Sequence, residues 1–327
     1  MNRRLTLAVE RFPTRGSFTI SRSTVTAVDL VVATLEFDGA RGRGECRPYP
    51  RYGESPATVL AEIEALRPAI EAGMSRAELQ EVQEPGAARN ALDCALWDLE
   101  AKQSGKAVWQ LAGLAQPQPV VTAFTLSLDT PDAMAQAAAA NRHRPLLKLK
   151  LAGPEDLARV EAVREAAPEP TLIVDANEGW TLDSFRAIAP RLVDLGVALV
   201  EQPLPAADDS PLAGKNWPLP LCADESSHDR ASLAELVGRY SHVNVKLDKT
   251  GGLTEALAMV EQAKRLGFGI MVGCMVASSL AMAPALLLAG GADYVDLDGP
   301  LLLASDRPEG LRYDGSTIHP ATRELWG

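Results

Sequence analysis

The sequence predicts an α/β fold, a barrel of eight parallel strands preceded by an α+β domain, and three observations carry that prediction. Short branched runs such as Leu172-Ile173-Val174 are bounded by polar residues and read as strands buried on both faces of a parallel sheet. Several of these runs end in a charge. Asp175, Glu201, Asp224 and Lys246 recur roughly every 22 to 26 residues, about the length of one strand, one helix and two loops of a (β/α)8 barrel. After residue 119, eight strand candidates alternate with helical stretches as far as Leu297, which favours a barrel over an open sheet.

Taken in order, the chain begins with strand-like runs at Leu5–Glu10 and Leu30–Phe37, a turn at Asp38-Gly39 and a short run through Gly44–Arg47, alternating as antiparallel strands do. Two polar stretches, PTRGSFTISRSTV and RPYPRYGES, lack a helical period and read as mobile loops. Helices follow at about Pro56–Glu71, Ser75–Val82 and Gly86–Gln103, the last with one apolar stripe of Ala88, Leu92, Ala95, Leu96 and Leu99. This first domain covers 1–116 and ends in the linker Gln-Pro-Gln-Pro. The barrel covers 117–300, with strands at Val120–Ser127, Leu146–Lys150, Leu172–Asp175, Val197–Glu201, Leu219–Ala223, Val243–Lys246, Ile270–Gly273 and Tyr294–Leu297. Helices such as Pro154–Glu165 and Thr254–Leu266 lie between them. Residues 301–327 are broken by Pro308, Gly310, Gly315 and Pro320, and are expected to fold back on the first domain.

Composition narrows the function classes. With 46% apolar residues in 327, the chain can bury a large core. A net charge of −11 with no basic run longer than a pair argues against nucleic acid or anionic lipid as partner. The longest apolar stretch, Leu280–Gly290, is too short and Gly-rich to span a bilayer. Cys46, Cys94, Cys222 and Cys274 show no CxxC spacing, and MNRRLTLAVERF lacks the apolar core of a signal peptide, so four free thiols in a cytoplasmic protein are expected. GxGxxG, P-loop, HExxH and GxSxG signatures are missing, and His143, His228, His242 and His319 are isolated surface or loop candidates.

Chemistry is expected where the strands end. Asp175, Glu201 and Asp224 would place three hard oxygen ligands on adjacent strand ends, a set that suits Mg²⁺. Solvated acids are the bland alternative, which three consecutive units make the weaker one. Asn177 and Gln202, just beyond two of the acids, are candidates to orient ligands or waters. Lys148 and Lys150 alternate with leucines and point to one side of a buried strand. Their mutual repulsion, with desolvation, should lower the pKa of at least one and make it a usable base. Lys246, four strands later, would face them.

From GECRPYPRYGES and ARNALDCALWDLEAK through KLK, VDAN, VEQPLP, CADES, NVKLDKTGG, GCM and DLDGP, the chain resembles the muconate lactonizing enzyme subgroup of the enolase superfamily, and within it the dipeptide epimerases of the L-Ala-D/L-Glu type. The resemblance implies a modified (β/α)7β barrel with an N-terminal capping domain, Mg²⁺ on Asp175, Glu201 and Asp224, bases at Lys150 and Lys246, and Lys148 tuning Lys150. It implies a dipeptide as the small-molecule partner and a place in peptidoglycan recycling; homo-oligomer formation is left open. In that family pattern a lysine removes the proton beside a carboxylate while Mg²⁺ stabilises the enediolate. Two lysines on opposite faces explain inversion of the carbon. Asp296 and Asp298 match the residues that bind the free ammonium of a dipeptide, and Arg22 matches the arginine that meets a glutamate side chain, with Arg15 as a second candidate. Thr125 completes the substrate-binding set. Where many subgroup members carry a glutamate, this chain reads Gly273-Cys274-Met275-Val276-Ala277-Ser278, which counts against a cycloisomerase. The alternatives are an N-acylamino acid racemase, an o-succinylbenzoate synthase or a cycloisomerase of the same superfamily, and, in another class, a silent barrel that only binds a metal or peptide.

Overall fold

The computed structural model describes residues 3–153 and 155–327. Its N-terminal part is an antiparallel sheet of β1 (Arg4–Ile20), β2 (Ser23–Phe37) and β3 (Ala40–Cys46), backed by helices Pro56–Glu71, Arg76–Val82 and Ala87–Ser104. The alternation of β2 serves two cores. Val31, Ala33 and Leu35 pack on the helices, whereas Val28, Leu30 and Val32 join the large cluster shared with the barrel. Gly42 and Gly44 allow β3 to lie against helix Ala87–Ser104: a Cβ there would fall 2.3 Å from the Ala95 carbonyl oxygen and 2.1 Å from that of Ala91. That helix departs from the single stripe expected. Its opposite face, with Asn90, Cys94 and Trp97, is buried too, because the barrel docks on it. Asn90 Nδ2 donates to Asp248 (2.8 Å), Arg89 donates to the Thr250 carbonyl (2.7 Å), and Asp93 accepts from Thr254 Oγ1 (2.6 Å).

The two stretches expected to be mobile loops are held. Residues 12–24 extend the β1–β2 hairpin past a bulge between Pro13 and Phe18. The hairpin satisfies its backbone across itself, so no apolar period is needed to form it. Its end is tied down by Thr19 N–H to Ser127 Oγ (2.8 Å) and Ser21 Oγ to the Asn177 carbonyl (2.8 Å). In RPYPRYGES, Glu54 accepts from the backbone of Tyr49 and Ala87, and a short 3₁₀ turn forms at Pro50–Tyr52.

Barrel strands β5 (Phe124–Leu126), β6 (Leu146–Lys150), β7 (Thr171–Asp175), β8 (Val197–Glu201), β9 (Leu221–Ala223), β10 (His242–Val245), β11 (Gly269–Gly273) and β12 (Tyr294–Asp296) pair in sequence order, parallel throughout. The first and last are joined by Ala123 N–H to the Val295 carbonyl (2.8 Å) and Leu297 N–H to Thr122 Oγ1 (2.9 Å). The expected first strand splits, since Val120–Val121 is a separate β4 that pairs with β14 (Thr317–Ile318) of the hairpin β13 (Tyr313–Asp314)–β14. Helix Asp156–Ala166 starts after the expected Pro154, which lies outside the described residues. Leu146, Ile173, Leu199, Cys222 and Met271 form a layer inside the barrel. On β6 the inward side therefore runs Leu146, Lys148, Lys150 toward the carboxyl end, while Leu147 and Leu149 pack outward.

The C-terminal stretch returns to the first domain through contacts spread along its length. Leu303 bridges Thr14, the Arg307 guanidinium meets Glu45 and Glu10, Trp326 Nε1 donates to the Cys94 carbonyl (3.0 Å), and Gly327 N–H donates to Asp98 (2.7 Å). All four cysteines are free thiols, and among the described residues no helix is long and apolar enough to cross a membrane. His242 is half-buried within β10 rather than in a loop.

Candidate active site

The carboxyl ends of β6 to β12 bring the sequence candidates into one buried cluster. Asp175, Glu201 and the Asp224 that follows β9 each offer an oxygen, and these oxygens lie within 4.8 Å of one another. Glu201 Oε2 is ion-paired to Lys148 Nζ at 2.6 Å, and its other oxygen accepts from Asn244 Nδ2 (2.7 Å). An all-oxygen donor set of three buried carboxylates this close together fits a hard divalent cation.

Four lysines surround the acids. Lys148 Nζ contacts Glu201 (2.6 Å), Asp296 (2.8 Å) and Asp175 (3.2 Å); Lys150 Nζ donates to the same Asp175 Oδ2 (2.6 Å). Lys246 Nζ donates to Asp224 Oδ2 (2.7 Å), and Lys249 Nζ to Asp224 Oδ1 and the Asp224 carbonyl (2.5 Å each). Burial alone would lower the pKa of Lys148, but Asp296, Glu201 and Asp175 outweigh it and raise it well above the usual lysine value. Lys246 is likewise raised, burial being overcome by Asp224 and Glu201. The expected depression by lysine–lysine repulsion is therefore reversed at Lys148, where three carboxylates are nearer than any like charge. Burial raises carboxyl pKa values, yet Lys150 and Lys148 bring Asp175 down to about 2, and Lys246 and Lys249 hold Asp224 well below the usual range. Glu201 is pushed up to about 7 by burial and by Asp175.

The turns beyond the strands are strained in a way that serves the cluster. Asn177 (φ 43°), Glu178 (φ 66°) and Gln202 (φ 36°) are left-handed without being glycine. Asn177 N–H donates to Asp175 Oδ1 (2.9 Å). Gln202 Oε1 accepts from the backbone of Asp224 (2.9 Å) and Ser226 (3.1 Å), so it fixes the turn that carries a triad acid rather than reaching a ligand itself.

A cavity lies over this cluster, lined from the barrel by Thr125, Lys150, Lys246, Asp296 and Asp298 and from the first domain by Arg22, Arg47 and Tyr52. Asp296 Oδ1 is buried without a partner. Asp298 accepts from Thr125 N–H (2.6 Å), and burial with the neighbouring Asp296 pushes its pKa up to about 7. Arg22, at the hairpin end, donates to the Asn177 carbonyl (2.7 Å), Glu178 (3.1 Å) and Glu225 (2.7 Å). Arg15 is directed elsewhere, to the Leu303 carbonyl (2.8 Å), and is not among the cavity residues. Lys249, Glu178, Glu225 and Arg47 escaped the sequence reading. Lys249 had a signal in NVKLDK, three residues past Lys246, whereas Glu178 meets Arg51 and Arg22 only through the fold.

Comparison with known proteins gives a consistent picture. The family model for the mandelate racemase / muconate lactonizing enzyme N-terminal domain matches residues 3–113, and the enolase C-terminal domain-like model matches 132–316. The chain is 47% identical over 312 residues to an L-Ala-D/L-Glu epimerase of Escherichia coli, covering 95% of this chain and 97% of the relative. It is also 47% identical over 300 residues to an N-acetyl-D-glutamate racemase of a Pseudoalteromonas species, covering 91% and 94%. A crystal structure of an enolase family member from Agrobacterium tumefaciens, described as having homology to dipeptide epimerases and as holding sodium and L-Ala-L-Glu with an ordered loop, is 55% identical with a TM-score of 0.98, over 99% of this chain and 100% of that one.

Proposed function

The chain belongs to the mandelate racemase / muconate lactonizing enzyme family of the enolase superfamily, and from that premise we propose that it is a Mg²⁺-dependent dipeptide epimerase inverting the α-carbon of the C-terminal residue of L-Ala-D/L-Glu-like dipeptides. The reaction class is an isomerisation by proton transfer beside a carboxylate.

The observation that carries the reading is the pairing, in one cavity, of two lysines four strands apart with two acids on a third strand end. Removing the α-proton puts a second negative charge on the substrate carboxylate. A divalent cation held by Asp175, Glu201 and Asp224 would supply the charge that stabilises this enediolate. Lys150 and Lys246 stand on opposite sides: the one that is neutral takes the proton, the other, as an ammonium, returns one from behind. Lys148, held protonated by its three acids, adds fixed positive charge beneath the carboxylate. Asp296 and Asp298 offer acceptors for a dipeptide ammonium, with Thr125 fixing Asp298, and Arg22 is the proposed contact for an acidic side chain. A cytoplasmic location and a part in peptidoglycan recycling belong to the same proposal.

A library of L-Ala-X dipeptides incubated in D₂O, followed by mass gain at the α-carbon, tests the reading. Metal-dependent deuterium uptake in free dipeptides supports it; uptake in none of them rejects it. The equal identity to the N-acetyl-D-glutamate racemase favours one second reading, an N-acylamino acid racemase. Equal turnover of free and N-acetylated substrates would select it.

A further inference from the structure

Lys246 and Lys249 hold the carboxylate of Asp224, but its main chain is placed by Gln202, and Gln202 is anchored by residues that do not line the cavity. Gln202 is fully buried with a left-handed backbone (φ 36°), a conformation that a non-glycine residue keeps only where its surroundings impose it. Backbone groups fix which way its amide points. Oε1 accepts from Asp224 N–H (2.9 Å) and Ser226 N–H (3.1 Å), while Nε2 faces the Leu204 carbonyl (2.9 Å), Ser226 Oγ (2.8 Å) and Tyr240 Oη (2.9 Å). The two hydroxyls can serve an amide N–H only if their own hydrogens are turned elsewhere. Asp209 turns them. Buried in the loop after β8, it accepts from Ser226 Oγ (2.6 Å) and Tyr240 Oη (2.9 Å) on Oδ2, and from Arg239 (2.9 Å) on Oδ1. Burial, with Asp209 beside it, raises the Tyr240 pKa, so that hydroxyl keeps its proton. A carboxylate has no hydrogen to offer; both hydroxyls therefore donate to Asp209 and present lone pairs to Gln202.

We propose that Asp209 is a positioning residue for the metal centre: by orienting Ser226 and Tyr240 toward Gln202, it holds the Asp224 turn where a divalent cation binds. This rests on the Mg²⁺ site of the reading above, but not on which substrate is turned over.

The test is a calorimetric titration of Mg²⁺ into the substrate-free protein, with the melting temperature of the metal-free protein measured beside it. In Asp209→Asn the side chain carries one acceptor and one donor group. Arg239 claims the acceptor, so the amide NH₂ turns to the hydroxyls and reverses their hydrogens; the Mg²⁺ dissociation constant should rise about tenfold or more. Adding Arg239→Met releases the amide oxygen to the hydroxyls, and the constant should return to within about threefold of the wild type. Arg239→Met alone should change it less than about twofold. A residue that only packs the loop would not be rescued by a second substitution that removes a further contact. Wild-type affinity in Asp209→Asn, or no recovery in the double variant, would overturn the assignment while leaving the metal site standing. If Asp209→Asn does not fold, Ser226→Ala and Tyr240→Phe each remove one hydroxyl, and unchanged Mg²⁺ affinity in both would overturn it instead. A wild-type protein that binds no Mg²⁺ would overturn the metal reading above and the assignment with it.

Discussion

The barrel side of the cavity and its capping side are held by different means. On the barrel side each charged residue sits in, at or just past the end of a parallel strand and is buried. On the capping side, Arg22 and Arg47 come from the end of a hairpin and from the loop after β3. Arg47 is half-buried and Arg22 is exposed, and Arg22 is secured by side-chain contacts across domains, to Glu178 (3.1 Å) and Glu225 (2.7 Å). Rigid strand ends suit chemistry that tolerates little displacement, and loop-borne contacts suit selection among substrates. The comparison predicts that substitutions of the barrel's acid triad and lysines act on kcat and capping-side substitutions on KM.

The largest expected effect is on the triad. Asp175→Asn, Glu201→Gln and Asp224→Asn, or exhaustive chelation of the wild type, should each cost on the order of three powers of ten or more in turnover, because one lost charge leaves the cation weakly held. Restoration of activity by added Mg²⁺ checks the chelation result, and full turnover after chelation would break the barrel half of the comparison.

Next comes Asp298→Asn, which should lower kcat/KM for free dipeptides by about one to three powers of ten, through loss of a buried charged hydrogen bond. Its pH dependence sharpens this. With a pKa near 7, the Asp298 carboxyl is neutral below that pH and a poor partner for an ammonium; kcat/KM should therefore rise through pH 7 as it ionises. In Asp298→Asn that limb should vanish, as a pH series of initial rates would record.

Glu178→Gln is expected to be milder. Its ion pairs to Arg51 and Arg22 are partly exposed, and weakening them should raise KM by about fivefold with kcat little changed. Hydrogen exchange of residues 18–25 should quicken in the variant while the barrel strands stay protected. A fall in kcat with unchanged KM would contradict the division of labour.

The same contrast explains how far the sequence could be read. The placement of Asp175, Glu201, Asp224, Lys148 and Lys150 in or just past buried strands is legible because a buried strand has period two and a barrel repeats, so a charge after an apolar run has one place to go. Asp296 and Asp298 followed from the same alternation together with the family resemblance. The hairpin at 12–24 was not legible, since its polar residues satisfy each other's backbone without an apolar pattern. The raised pKa of Lys148 is not legible in the sequence for a related reason. Lys150 is two residues away in sequence, whereas Asp296, Glu201 and Asp175 reach Lys148 only through closure of the barrel.

The central claim is that Lys150 and Lys246 serve opposite faces of one α-carbon, and solvent deuterium exchange in Lys150→Ala and Lys246→Ala measures it directly. Each variant should lose epimerisation but keep exchange of the α-proton from one stereoisomer of the substrate, and the two variants should keep it from opposite isomers. Retention, or loss, of the same isomer's exchange in both variants would contradict the two-base account.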